Sequence, residues 1–127
     1  MPASAYEHLH ALVVEDNVHM RTLLRSLLHA LGIKNVSEAA DGDAGLREMR
    51  NHTPDLILTD LSMVPTDGIA FTRQVRTAAN SPNPYVPIIM VTGHTERPRV
   101  EAARDAGVTE FLAKPITVNN LIARLAE

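Results

Sequence analysis

The chain has no cysteine and no tryptophan, and only two lysines, Lys34 and Lys114, stand against ten arginines. Without cysteine, disulfide frameworks, thiolate nucleophiles and cysteine-ligated zinc are excluded. Aromatic content of 3% leaves little from which to build a base-stacking platform. A net charge of −3 gives no electrostatic case for nucleic acid or an anionic membrane as partner. No apolar run approaches the roughly 18 residues of a membrane span, and the N-terminus lacks a basic-then-apolar leader pattern. A soluble, cytoplasmic protein is therefore expected. What is present is ordinary: 45% hydrophobic and 21% charged residues over 127 positions, enough for one well-cored domain and too few for two.

Short apolar runs alternate with helical patterns five times. Ala11 to Val14 reads as a strand buried on both faces. Asn17 can then cap a helix with apolar residues at Met20, Leu23, Leu24, Leu27, Leu28 and Leu31, closed by Gly32. A weak strand around Val36 precedes a helix from about Asp43 to Arg50. Pro54 introduces the strand Asp55 to Thr59, and Gly68 opens a third helix carrying Ile69, Phe71 and Val75. Residues 80–85 form a turn-rich connector to the strand Val86 to Val91. A thin helix from about Glu96 to Ala106 ends at Gly107, Val108 to Ala113 is the last strand, and Val118, Leu121, Ile122 and Leu125 mark the last helix. Five strand–helix repeats predict a parallel sheet covered on both faces, a doubly wound α/β fold.

In such a sheet, ligands bind beyond the carboxyl ends of the strands. Glu15 and Asp16 follow the first strand, Asp60 the third, Thr92-Gly93 the fourth and Lys114-Pro115 the fifth. Three carboxylates, a hydroxyl and an ammonium thus share one edge. Left alone the carboxylates would repel, and at least one would keep its proton. A hard divalent cation removes the conflict, and Mg²⁺ takes few carboxylates together with waters and phosphate oxygens. Lys114, in a chain that otherwise favours arginine, supplies a compact positive charge rather than a fork. The set suits phosphoryl transfer with Asp60 as the nucleophile.

The runs "VVEDN", "LTDLSM…DG", "IIMVTG" and "FLAKP" together resemble the receiver domain of two-component response regulators, like the chemotaxis response regulator. The likeness extends over about residues 9–126, so a single receiver domain over 1–127 is expected. The resemblance implies a flavodoxin-like (βα)5 fold with strand order 2-1-3-4-5. It makes Asp60 the phosphoacceptor, served by a histidine kinase or histidine phosphotransfer protein. It makes Asp16, Asp60 and the Ser62 main-chain carbonyl ligands of Mg²⁺, for which Mn²⁺ can substitute, with Glu15 acting through water. Thr92 matches the family's hydroxyl and Lys114 its lysine, while the Leu61, Ser62 and Gly93 amides would hold phosphoryl oxygens. Phe111 takes the aromatic switch position, and Ser62 and His94 the positions that set phosphate lifetime. The Lys114–Pro115 bond is expected to be cis. Two departures stand out: Val64 intervenes before Pro65, and Phe111 lacks the hydroxyl of the usual tyrosine.

Other readings are weighed on the same residues. Glu15-Asp16 could be turn acids before a helix dipole, and Phe111 is equally a core residue. His8 and His10 could face one side of a strand as a metal pair, but no third ligand has suitable spacing. A flavodoxin-like mononucleotide site is disfavoured by the acidic loop after the first strand. A haloacid-dehalogenase-type phosphatase would need an aspartate where Ser62 stands. A phosphorylation-independent adaptor on a receiver scaffold is the remaining alternative. With no DNA-binding helix pair or catalytic domain among these residues, an unidentified downstream protein is expected on the face made by the fourth helix, the Phe111 strand and the last helix.

Overall fold

The computed structural model describes residues 6–63, 66–78, 81, 83–93 and 97–125. Five strands and five helices alternate: β1 (His10–Val14), α1 (Val18–Ala30), β2 (Asn35–Ala39), α2 (Gly42–Asn51), β3 (Leu56–Asp60), α3 (Gly68–Thr77), β4 (Ile88–Thr92), α4 (Arg97–Ala106), β5 (Glu110–Ala113) and α5 (Val118–Leu125). The strands form one parallel sheet in the order β2-β1-β3-β4-β5. Residues alternate between its faces along each strand. Leu12, Val14, Ile57, Ile88 and Met90 join Met49, Phe71, Val75 and Ala103 of α2, α3 and α4 in one core layer. Ala11, Val13, Leu58, Ile89 and Val91 join Leu24, Leu28 and Leu121 of α1 and α5 in the other. The three central strands are buried nearly throughout, whereas β2 and β5 at the edges are only half-buried. No helix among the described residues is long and apolar enough to cross a membrane.

Helix starts are capped as their sequences direct. Asn17, Asp41 and Asp67 each accept from a backbone amide three residues on, at Met20, Ala44 and Ala70. Gly32 and Gly107 end α1 and α4 with φ of 95° and 111°, where a side chain would be strained.

The structure departs from expectation at some boundaries and at one side chain. Leu23 is 41% exposed and lies outside the buried stripe of α1, because six apolar positions cover a wider arc than the sheet contacts. Its interior is instead Leu24 and Leu28, with Leu31 buried at the cap. Strand β4 begins at Ile88, not Val86, because the Val86 carbonyl accepts from Arg76 at 2.6 Å. Strand β5 begins at Glu110, not Val108, because the Val108 amide bonds back to Ala103 in the cap of α4. Strand β3 runs one residue further than expected and takes in Asp60 itself. Glu96, the expected start of α4, lies outside the described residues, as do Val64 and Pro65.

Candidate acidic site at the carboxyl edge of the sheet

β1, β3, β4 and β5 all point their carboxyl ends to one edge, and the polar residues at their tips meet there. Asp60 ends β3 and is 7% exposed. Its Oδ1 accepts from the Leu61 amide at 2.8 Å and lies 3.6 Å from Lys114 Nζ. The chain doubles back directly behind it: the Gly68 amide donates to the Leu61 carbonyl at 2.8 Å. A Cβ on Gly68 would stand 2.0 Å from the Asp60 carbonyl oxygen, so only glycine fits.

Glu15 and Asp16 are sequence neighbours with opposite surroundings. Glu15 is 1% exposed, whereas Asp16 is open to solvent. Glu15 Oε2 accepts from the Asn17 amide at 3.1 Å, and Oε1 lies 3.6 Å from Lys114 Nζ. That Oε1 has no hydrogen-bond partner among the described residues. Burial raises the Glu15 carboxyl to about 7, aided by hydrogen bonding with Asp16 and by the Asp60 charge; the Asn17 amide and Lys114 pull the other way. Behind it, Arg21 donates to the Glu15 carbonyl at 2.9 Å and pairs with Glu38 at 3.2 Å, tying the β1–α1 turn to β2. Nothing in the sequence pointed to Arg21, because that contact depends on where β2 lies.

One carboxylate oxygen each of Glu15, Asp16 and Asp60 lie within 4.8 Å of one another. Three hard oxygen donors, drawn in part from the buried Glu15 carboxyl that has one oxygen without a hydrogen-bond partner among the described residues, suit a hard divalent cation. Lys114 leaves β5 with its amide bonded to the Thr92 carbonyl at 3.0 Å, and the Lys114–Pro115 bond is cis, as expected. Thr92 ends β4 and is 1% exposed. Ser62 is exposed, two residues past Asp60. Phe111 stands apart from this group: half-buried, it packs on the core layer beneath α2, α3 and α4, with the Arg104 guanidinium 5.8 Å from its ring centre. His94 lies outside the described residues.

The histidine pair considered on the first strand does not gather ligands. His10 bonds Ser37 Oγ at 2.6 Å and meets the His52 ring edge-on at 5.5 Å. Among the described residues, neither His8 nor His10 belongs to a group of three that could hold a metal.

Comparison with known proteins agrees with the fold. The family model of the response regulator receiver domain matches residues 11–126. A probable chemotaxis protein CheY of Rhizobium etli is 34% identical over 122 residues, 96% of this chain and 93% of that protein. The structure of chemotaxis protein CheY4 of Vibrio cholerae superimposes with a TM-score of 0.84 at 28% identity, covering 93% of this chain and 96% of that one. The receiver domain of the sensor histidine kinase PA1611 of Pseudomonas aeruginosa, described with a magnesium ion coordinated in its active site cleft, gives 0.81 at 32% identity, over 92% of this chain and 93% of that one. The chain belongs to the response regulator receiver domain family.

Proposed function

We propose that this chain is the phosphoacceptor of a two-component phosphorelay, taking a phosphoryl group from a histidine kinase or histidine phosphotransfer protein onto Asp60. The observation that carries this reading is the meeting of three carboxylates within 4.8 Å, with Lys114 Nζ 3.6 Å from both Glu15 and Asp60. An Asp60 carboxylate oxygen attacks phosphorus, the P–N bond to the donor imidazole breaks, and the nitrogen lone pair returns to the ring. The Leu61 amide holds the Asp60 carboxylate at 2.8 Å and so orients it for the attack. Lys114 and the Thr92 hydroxyl take up charge on the phosphoryl oxygens as the transfer proceeds.

Asp16, Asp60 and the Ser62 carbonyl would hold Mg²⁺, with Glu15 acting through water; Mn²⁺ would serve in its place. When bound, the metal neutralises the crowded acids and polarises the phosphoryl group. The donor set fits it, and the related receiver domain of PA1611 carries magnesium in its cleft. The only reactions the chain catalyses are then its own phosphorylation and dephosphorylation. The phosphorylated state switches a surface for a downstream protein, with Thr92 and Phe111 as the moving residues.

Incubation with acetyl phosphate and Mg²⁺, followed by intact mass, tests the reading. A single phosphoryl adduct is expected on the wild type, none after Asp60→Ala and none in EDTA. An unlabelled wild type would favour the phosphorylation-independent adaptor instead.

A further inference from the structure

Of the three acids of the site only Asp16 stands in solvent, and a contact from α1 reaches the peptide that leads into it. Arg21 NH1 donates to the Glu15 carbonyl at 2.9 Å. That carbonyl and the Asp16 amide belong to one planar peptide unit, so a bond that fixes the oxygen restricts the direction in which Asp16 leaves it. The unit before it is anchored separately, the Glu15 amide donating to the Ala39 carbonyl of β2 at 2.9 Å. Between the two anchors lie only the φ and ψ of Glu15. Asp16 makes no backbone hydrogen bond of its own among the described residues. The guanidinium is held in turn: its Nε pairs with Glu38 Oε1 at 3.2 Å, and Arg25 NH1 takes Glu38 Oε2 at 3.0 Å. Glu38 stands on β2 opposite Val13 of β1, two residues before Glu15. The clamp is thus built on the paired strands rather than on the loop it holds.

We infer that Arg21, clamped by Glu38, is a positioning residue for Asp16 and thereby strengthens Mg²⁺ binding at the acidic site. The inference rests on the function proposed above. A carboxylate on an untied peptide must be ordered when the cation binds, and that ordering subtracts from affinity. With the peptide before Asp16 already fixed on folding, less remains to be ordered. The sign of the effect separates position from charge. Arg21 is a cation beside a cation site, so by charge alone its removal should tighten Mg²⁺ binding. Glu38 offsets much of that charge, and solvent screening reduces the remainder. Arg25 carries the same charge on the same helix, shares Glu38, and makes no bond to Glu15 among the described residues. It is therefore the control for charge.

Calorimetric titration with MgCl2 on the wild type, Arg21→Met, Arg21→Lys and Arg25→Met tests this, with urea unfolding of each in EDTA. Arg21→Met should weaken Mg²⁺ binding about fivefold, which is about 1 kcal/mol and the usual size of one hydrogen bond. Arg21→Lys keeps the charge but not the fork that serves the Glu15 carbonyl and Glu38 together, and should weaken binding about threefold. Arg25→Met should bind within about twofold of the wild type. Both methionine variants lose an ion pair and should unfold at lower urea, so a merely structural role for Arg21 would move its midpoint and spare its affinity. Arg21→Met binding within twofold of a Mg²⁺-binding wild type, or more tightly than it, would overturn the inference alone. So would an equal loss of affinity in Arg21→Met and Arg25→Met. Should Arg21→Met show no unfolding transition, Arg21→Lys decides, and binding equal to the wild type overturns the inference. A wild type that takes up no Mg²⁺ would overturn the metal reading and the inference with it.

Discussion

Replacing Glu15 by glutamine should stabilise this protein above neutral pH in the absence of metal, although it removes an ion-pair partner of Lys114. The Glu15 carboxyl has its ordinary value of 4.5 in the unfolded chain and is raised to about 7 in the fold, chiefly by burial. Between these values the folded chain keeps a proton that the unfolded chain has released. Stability from this group is therefore fully present below about 4.5 and is lost as pH rises through 7. A shift of that size corresponds to a ceiling of about 3 kcal/mol. The neighbouring Asp16 is open to solvent, so water and small side-chain movements relieve part of the penalty, leaving about 1–3 kcal/mol. Glutamine has nearly the same shape and cannot ionise. Urea unfolding in EDTA should give Glu15→Gln a midpoint about 1 M above the wild type at pH 8, for a slope of about 1–3 kcal/mol per molar. At pH 5 the midpoints should nearly coincide. Saturating Mg²⁺ should shrink the pH 8 difference, because the cation offsets the same repulsion. A variant no more stable than wild type at pH 8, or one with an equal advantage at both pH values, would refute the reasoning.

Further outcomes follow from other parts of the structure. Millimolar Mg²⁺ should raise the melting temperature of the wild type, and Asp16→Asn should abolish the rise; an unchanged wild-type melting curve would count against the metal site. Gly68→Ala forces a Cβ to 2.0 Å from the Asp60 carbonyl oxygen, so urea unfolding should register a loss of about 3 kcal/mol or more, or a fold kept only by moving the loop away from Asp60. His10 is held below its ordinary value of 6.5, mainly by burial and next by His52; acidification through that value protonates the unfolded chain first, so His10→Gln should lose less stability than wild type between pH 7 and pH 5. With a phosphate mimic bound, amide resonances of α4 and β5 should shift along with those of the acidic edge. Shifts confined to residues 14–16, 60–62 and 92–93 would end the switching account.

The region proposed to switch is docked more weakly than α1. α4 buries only Ala103 and Ala106 among its described side chains, whereas α1 buries Leu24 and Leu28 in full. At about 0.8 kcal/mol per buried methylene, such a helix is held far less firmly than α1. Its C-terminal end is better fixed: Arg76 Nε donates to the Gly107 carbonyl at 3.0 Å, and NH1 reaches the Pro84 and Val86 carbonyls.

Much of this protein was legible in the chain read as a line. Short continuous apolar runs for strands and a period near 3.6 for helices alternate often enough to dictate a parallel sheet with covered faces. The rule that sites lie beyond the carboxyl ends of such strands then brings Glu15, Asp16, Asp60, Thr92 and Lys114 to one edge before any coordinate is known. The cap at Asn17 is also local, because it needs only an amide three residues away. Tertiary structure alone decided the rest. Glu15 and Asp16 look alike in sequence, yet one is buried and raised to about 7 and the other is open to solvent. Leu23 belongs to the apolar pattern of α1 and still lies outside the core. The ties from Arg21 to the Glu15 carbonyl, from Arg76 to the loops beneath α4, and from Thr66 to Asp43 span 6 to 31 residues. Periodicity governs which face a residue occupies on its own element. Burial, charge coupling and long-range hydrogen bonds depend on what another element brings to that face, and only packing settles that.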